Sequence, residues 1–110
     1  MTPGPRPAPA PGLPHRQGAV LAVLWDAPGP LTAAQISARL GGGSPARTGH
    51  ALGQLHSAGL AIPARDRRTC RWQAAVGRDD YLAALVTAAL GQAGDSTAVL
   101  RAVLGIPAML

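Results

Sequence analysis

Four arginines and one aspartate crowd into the eight-residue stretch RDRRTCRW, from Arg65 to Trp72. An arginine guanidinium is planar, always charged and rich in hydrogen-bond donors, so a cluster of this kind is suited to binding phosphate groups. A solvated loop is the simpler interpretation of a charge run taken alone. The choice between the two depends on where the fold places this stretch.

A second set of polar side chains lies in SPARTGHALGQLHS. Arg47 can donate two hydrogen bonds to the O6 and N7 edge of guanine, and Gln54 can pair with adenine. Helical spacing places His50 on the same face. A phosphate contact is the alternative role for Arg47, and ordinary solvation is the alternative for His50 and Gln54. Ser44 is predicted to cap the helix, where free amides could also hold a phosphate.

The overall charge favours a polyanionic partner. Ten arginines and five aspartates, with no lysine and no glutamate, give a net charge of +5 and a pI near 11.4. A high-GC coding bias explains the preference for arginine over lysine, but it does not explain the twofold excess of arginine over acid. Nucleic acid is the commonest partner of a chain with this balance.

The residue types give little support for catalysis or metal binding. Glutamate is absent, the aspartates are scattered or at helix starts, and no glycine-rich phosphate loop follows a strand. His15, His50 and His56 match no ligand spacing, and the single Cys70 cannot form an internal disulfide. We therefore predict a cytoplasmic non-enzyme with no metal and no cofactor. No apolar run approaches the roughly 20 residues of a membrane span, and the start of the chain has no signal-peptide pattern.

Helix signals are clear in the first half of the chain. Arg16–Trp25 has apolar residues at helical spacing, and DAPGP ends this first helix. Thr32 and Gln35 predict a capping box at the start of a second helix, which GGG terminates. Ser44 and Pro45 begin a third helix. Its predicted inner stripe is Thr48, Leu52 and Leu55, and its outer face is Ala46, Arg47, His50, Gln54 and Ser57.

The second half predicts a hairpin and two more helices. LAIPAR and TCRWQA have the composition of two short strands, and Asp66, Arg67 and Arg68 connect them in a basic tip. GRDDYLAALVTAALGQ and the segment after Asp95 predict helices with more apolar surface than a small head can cover. We expect these two helices to pair with another copy of the chain.

The element order indicates a mainly α fold with a small β-hairpin: a winged helix-turn-helix head followed by C-terminal dimerisation helices. Residues 1–14 contain six of the eleven prolines and are expected to form a disordered, proline-rich arm. Residues 15–76 are predicted to form a winged-helix DNA-binding domain. Residues 77–110 are predicted to form the helical dimerisation region.

Three passages carry a resemblance to a known family: AVLAVLWDAPGPLTAAQISARL, GHALGQLHSAGL and RDRRTCRWQAAVGRDDYLAAL. Together they resemble the penicillinase-repressor family of bacterial transcriptional regulators, from about Arg16 to about Leu104. The most specific parts are LW followed by GPLT, and RxW followed by RDDYLAAL. The resemblance implies a dimeric winged-helix repressor that binds double-stranded DNA as a homodimer, with no membrane partner.

The resemblance also implies roles for individual residues. It makes Ser44–Ala58 the recognition helix and the hairpin a wing along the DNA backbone. The DNA-binding residues are then Ser44, Arg47, His50, Gln54, Arg65, Arg67 and Arg68. Pairing with Asp66 or Asp79 at the flank of the hairpin is the alternative role for Arg65, so Arg67 and Arg68 are the stronger candidates. The dimerisation residues are Leu82, Leu85, Val86, Leu90, Leu100, Val103 and Leu104.

The chain departs from the family's pattern in three ways. The family commonly has two threonines where this chain has Ala46 and Arg47. Gly49 and Gly53 lie inside the recognition helix and cost roughly 1 kcal/mol each relative to alanine. The chain lacks phenylalanine, which the cleavage site of antibiotic-responsive members includes, and it lacks the cysteine motif of copper-responsive members. An inducer or a sensor protease is thus left open as a further partner.

Three functions are compatible with these sequence features. The leading prediction is a sequence-specific transcriptional repressor on a pseudo-palindromic operator. The alternative is a winged-helix protein-interaction module with weak or nonspecific DNA binding. The third is general coating of DNA driven by charge, which predicts equal affinity for every duplex.

Overall fold

A computed structural model of the chain describes residues 7–66 and 68–105, without the side chain of Asp66. This part has five helices and two strands, in the order α1 (His15–Asp26), α2 (Ala33–Arg39), α3 (Pro45–Ser57), β1 (Ala61–Asp66), β2 (Thr69–Ala74), α4 (Arg78–Gly91) and α5 (Ser96–Leu104). The prediction of a mainly α fold with a small hairpin is confirmed. None of the described helices is long and apolar enough to cross a bilayer.

The helices begin where the local sequence signals predicted. Thr32 and Gln35 form the capping box of α2: the Thr32 hydroxyl accepts from the Gln35 amide at 3.1 Å, and the Gln35 side chain accepts from the Thr32 amide at 2.8 Å. The connection to α3 turns sharply because Gly41–Gly43 all have positive φ, between 88° and 112°. A short turn of this kind holds α2 and α3 next to each other.

The core lies between α1, α2 and α3. Its largest fully buried side chains include Val20 and Leu21 of α1, Ile36 of α2, and Leu52 and Leu55 of α3. Burying an aliphatic side chain of this size stabilises the fold by about 1.5–3 kcal/mol, so these five residues fix how the three helices pack.

The two strands form an antiparallel hairpin in which Ala61 pairs with Ala74 and Asp66 pairs with Thr69. Asp66 therefore ends β1, so the connection is one residue shorter than predicted. The hairpin also pairs with the chain before α2, because Leu31 and Trp72 exchange two backbone hydrogen bonds of 2.9 and 2.7 Å. This bridge attaches the hairpin to the helical core.

Residues 7–14 of the proline-rich segment differ from the extended arm expected from their composition. Ala10 is buried, and its amide donates to the carbonyl of Gly18 in α1 at 2.9 Å. A Cβ on Gly18 would lie 2.5 Å from the Ala10 carbonyl oxygen, so only glycine admits this close approach. The bare backbone at Gly18 is thus the physical reason why this part of the segment packs on α1. Residues 1–6 lie outside the described residues.

The chain divides into two compact units, Met1–Gly77 and Arg78–Leu110. The N-terminal unit contains α1 to β2, and the C-terminal unit contains α4 and α5. Asp79 and Asp80 lie in the first turn of α4, where their charge is favourable to the helix dipole. Asp95 caps α5, since its carboxylate accepts from the Ala98 amide at 3.1 Å.

Candidate nucleic-acid interface

The two sides of α3 have different roles. The inner side consists of buried residues, namely Thr48, Ala51, Leu52 and Leu55. The outer side is exposed to solvent and includes Ala46, Arg47, His50, Gln54 and Ser57. The predicted inner stripe and outer face are both confirmed, because helical spacing alone determines which side faces the core. The helix therefore presents polar and basic side chains from a firmly packed base.

A buried hydrogen bond joins α2 to α3. The hydroxyls of Ser37 and Thr48 lie 2.7 Å apart, and both residues are almost completely buried. One hydroxyl donates and the other accepts, so both buried oxygens have a hydrogen-bond partner and neither carries the penalty of an unpaired polar atom. Thr48 was predicted to lie on the inner stripe, but its partner Ser37 was not predicted. Ser37 lies one position after the inward-facing Ile36, and that adjacency was the available signal.

The start of α3 has a conventional cap. The Ser44 hydroxyl accepts from the Ala46 amide at 3.1 Å, and the Ser44 carbonyl accepts from the Thr48 amide at 3.2 Å. Pro45 at the first helical position has no amide hydrogen to satisfy. Capping by Ser44 is confirmed. The amides of Ala46 and Thr48 already have acceptors, so the predicted phosphate contact of Ser44 depends on its exposed hydroxyl more than on these amides.

The first turn of α1 contributes side chains to the candidate site that were not among the predicted site residues. Pro14, Arg16, Ala46, Arg47, His50 and Ala51 line an open groove of about 350 Å³, hereafter the α1–α3 groove. Arg16 also extends toward the glycine turn, since its Nη1 lies 4.0 Å from where a Cβ on Gly43 would be. Arg16 and Arg47 are 31 positions apart, so no local pattern could have brought them together.

Gln17 and Gln54 form one wall of the same groove. The Gln17 side-chain amide donates to the Gln54 side-chain oxygen at 2.9 Å. Gln54 was predicted as an adenine-reading residue, but in this structure its oxygen is occupied by Gln17. Its amide nitrogen can still donate, so a full two-bond pairing with adenine requires Gln17 to release it.

The hairpin tip carries a second group of basic residues. Arg65 pairs with Cys70 in the strand register, which places it one pair below the tip, and both Arg65 and Arg68 are exposed. Arg67 was predicted to contact DNA but lies outside the described residues. Cys70 is half-buried and is a free thiol. The tip therefore presents at least two arginines to solvent.

Contacts at the base of the hairpin tie it to α1 and α3. The Trp25 indole donates to the Val76 carbonyl at 3.0 Å. His56, at the end of α3, has its Nδ1 3.1 Å from the Ala61 carbonyl oxygen, and its ring packs edge-on against Trp72 with centroids 6.2 Å apart. His56 is thus a structural residue that holds the hairpin beside α3. Among the described residues, no group of three metal-binding side chains occurs.

Charge is distributed unevenly between the two units. Residues 1–77 contain eight arginines and two aspartates, a net charge of +6, whereas residues 78–110 contain two arginines and three aspartates, a net charge of −1. The whole positive excess of the chain therefore belongs to the unit that contains α3 and the hairpin. A potential of this sign attracts polyanions to that unit.

The C-terminal unit has apolar side chains in solvent. Val103 is 75% exposed, Leu104 66% and Val86 52%, and Leu100 is also exposed. The other residues predicted to form a dimer, Leu82, Leu85 and Leu90, are half-buried. Tyr81 is the one buried residue of α4, and α5 has none. These helices leave much of their apolar surface uncovered.

Comparison with known proteins adds no assignment. No protein-family model matches the chain, and no curated protein matches it. The resemblance to penicillinase repressors therefore stays a prediction, carried by the three passages quoted above.

Proposed function

We propose that the protein is a DNA-binding transcriptional regulator with a winged helix-turn-helix head. In this proposal α3 enters the major groove, the β1–β2 hairpin lies along the phosphate backbone as the wing, and the C-terminal helices join two copies. The observation that carries the proposal is the outer face of α3. It presents Arg47 and His50 from a firmly packed helix, in a unit with a net charge of +6.

The packing of α3 suits a reading role. A side chain can distinguish bases only if its helix is held at a fixed angle, since base contacts are short and directional. The Ser37–Thr48 hydrogen bond and the buried Leu52 and Leu55 hold α3 against α2 and α1. Arg47 is exposed in the first turn, which is the part of a recognition helix that contacts base edges.

The hairpin suits a phosphate-binding role. Its base is fixed by the Leu31–Trp72 bridge and by the contact of Trp72 with His56, so its tip extends from an anchored strand pair. Arg65 and Arg68 are exposed there. Arginines that neutralise phosphates add affinity with little sequence preference, and they make binding sensitive to salt.

The exposed apolar surface of the C-terminal unit supports the homodimer. Val103 and Leu104 are mostly in solvent, and an apolar patch of this kind marks an association surface. A near-neutral unit also avoids the repulsion that two highly basic units would experience. A dimer of this type places two recognition helices in successive major grooves, roughly 34 Å apart, on a pseudo-palindromic site. The family resemblance adds the expectation that binding represses transcription.

The test is fluorescence anisotropy with a labelled duplex from the region upstream of the protein's own gene, against a scrambled duplex, at several salt concentrations. The variant is Arg47→Ala. The matched control is Arg101→Ala, which removes an exposed arginine from α5, outside both α3 and the hairpin. We expect the native duplex to bind more than tenfold more tightly, Arg47→Ala to remove most of this preference, and Arg101→Ala to change neither affinity nor preference.

The salt dependence separates the two roles of Arg47. If Arg47 contacts a phosphate, its removal makes the slope of log affinity against log salt shallower by about 0.9 per head and leaves the preference unchanged. If it reads guanine, the preference falls and the slope stays. Equal binding of both duplexes by the unmodified protein supports general DNA coating. Binding of neither duplex contradicts the proposal and favours the protein-interaction module.

A further inference from the structure

The α1–α3 groove has the properties of a small-ligand site as well as those of a DNA-facing surface. It occupies about 350 Å³, which is within the size range of pockets that bind small molecules. All of its lining residues belong to the N-terminal unit, so its geometry follows from the packing of α1 on α3. DNA binding by the outer face of α3 does not by itself require such a concavity.

The floor of the groove is suited to a flat apolar body. Pro14, Ala46 and Ala51 line the groove, so a proline ring and two methyl groups supply its apolar lining, hereafter the floor. Arg16 and Arg47 also line the groove, and each arginine has three methylene groups below its guanidinium that can cover apolar surface. The Gln17–Gln54 hydrogen bond pairs one donor and one acceptor of the polar wall, so a ligand on the apolar lining leaves that bond intact.

The charges around the groove are all of one sign. Arg16 and Arg47 both line it, and none of the four aspartates whose side chains the structure describes does. Within the residues that the structure describes, neither arginine forms an ion pair with a carboxylate. Two unpaired guanidinium groups beside an apolar floor fit a ligand that combines an apolar body with an anionic group. Arginine pairs with carboxylates, as it does with phosphates, through two parallel hydrogen bonds, so a carboxylate is an anionic group that these guanidinium groups can hold.

We propose that the α1–α3 groove binds a small organic anion, with a flat apolar body on the Pro14–Ala46–Ala51 floor and a single carboxylate held by Arg16 and Arg47. A bound anion of this class occupies Arg47, which the proposed function assigns to DNA. The ligand and DNA are therefore mutually exclusive at this face. This exclusion rests on the proposed function, whereas binding of the anion does not.

The binding test uses the full chain, labelled with nitrogen-15 and titrated with 2-naphthoate while amide shifts are recorded by NMR. The matched probe is 2-naphthalenemethanol, which has the same rings without the charge. We expect 2-naphthoate to shift the amides of Arg16, Arg47 and His50, and the alcohol to bind at least tenfold more weakly. Arg16→Gln should weaken 2-naphthoate binding at least tenfold, and Arg101→Gln should leave it unchanged.

Two results would overturn the site. Equal binding of the acid and the alcohol would show that the arginines do not hold the carboxylate. Shifts centred on the exposed apolar residues of α5 would show that the probe binds there instead. Because Arg16 is exposed, its replacement leaves the core intact, and the amide spectrum of Arg16→Gln without ligand verifies this.

A competition experiment tests the exclusion. We expect 2-naphthoate, at concentrations that saturate the groove, to release the labelled native duplex, while the alcohol at the same concentration does not. Binding of the acid without any DNA binding refutes the proposed function but leaves the site. DNA binding without binding of the acid refutes the site but leaves the proposed function. Simultaneous binding of both refutes the exclusion.

Discussion

Replacing Gly49 and Gly53 with alanine measures how much the two glycines of α3 lower the free energy of unfolding. Both glycines lie inside α3, and a Cβ at either position meets nothing within 4 Å. Neither has a positive φ, so alanine fits the existing backbone without strain. Each replacement should stabilise the fold by about 1 kcal/mol, because alanine loses less backbone freedom on folding than glycine. The double variant should gain about 2 kcal/mol.

Urea unfolding followed by circular dichroism is the assay, supported by a thermal melt. A gain of this size raises the melting temperature of a small domain by about 10 °C. The matched control is Gly59→Ala at the end of α3, where φ is +78°. A side chain is disfavoured in that conformation, so the control should lose about 1 kcal/mol. The reasoning fails if the double variant gains no stability, or if Gly59→Ala gains as much.

The same double variant also probes the proposed function. Gly49 and Gly53 leave the outer face of α3 without side chains beside His50 and Gln54, which allows bases to approach the helix closely. Two methyl groups there should reduce affinity for the native duplex although they stabilise the protein. A more stable variant with unchanged or higher affinity would show that this part of α3 does not contact DNA.

Three further predictions concern packing and assembly. Thr48→Val leaves the Ser37 hydroxyl buried without its partner and should cost about 1–3 kcal/mol in urea unfolding, whereas adding Ser37→Ala should recover part of that loss. Gly18→Ala should displace residues 7–14, because its Cβ would lie 2.5 Å from the Ala10 carbonyl oxygen; amide exchange at Ala10 should then accelerate, and unchanged exchange would contradict the contact. Val103→Asp should shift sedimentation from dimer to monomer, and a dimer that persists would place the interface elsewhere.

Features that depend on near neighbours in the chain followed from the sequence. The Thr32–Gln35 capping box joins residues three apart, and the inner stripe of α3 follows from a period of 3.6 residues. Both strands also lie within a residue or two of their predicted positions. Local signals of this kind are strong because the chain itself brings the interacting groups together.

Features that depend on distant residues did not follow from the sequence. The hydroxyls of Ser37 and Thr48 are 11 positions apart, and the amides of Gln17 and Gln54 are 37 apart. The position of Arg16 in the α1–α3 groove depends on the packing of α1 on α3, which the sequence pattern does not give. The packing of Ala10 on Gly18 was missed because proline content suggested an arm, while the bare backbone that accepts it lies in another element. Each of these contacts requires the relative position of two elements, which composition and spacing do not supply.

The Ser37–Thr48 pair has a consequence for every salt titration of this protein. It joins two neutral hydroxyls that are almost completely buried, so dissolved ions do not screen this contact between α2 and α3. Raising the ionic strength should therefore leave this contact intact, while it weakens the attraction of the arginines for the phosphates that the proposed function assigns to them. If α3 keeps its position as the salt concentration rises, the loss of affinity for DNA that the proposed function predicts can be read as the number of ionic contacts with phosphates.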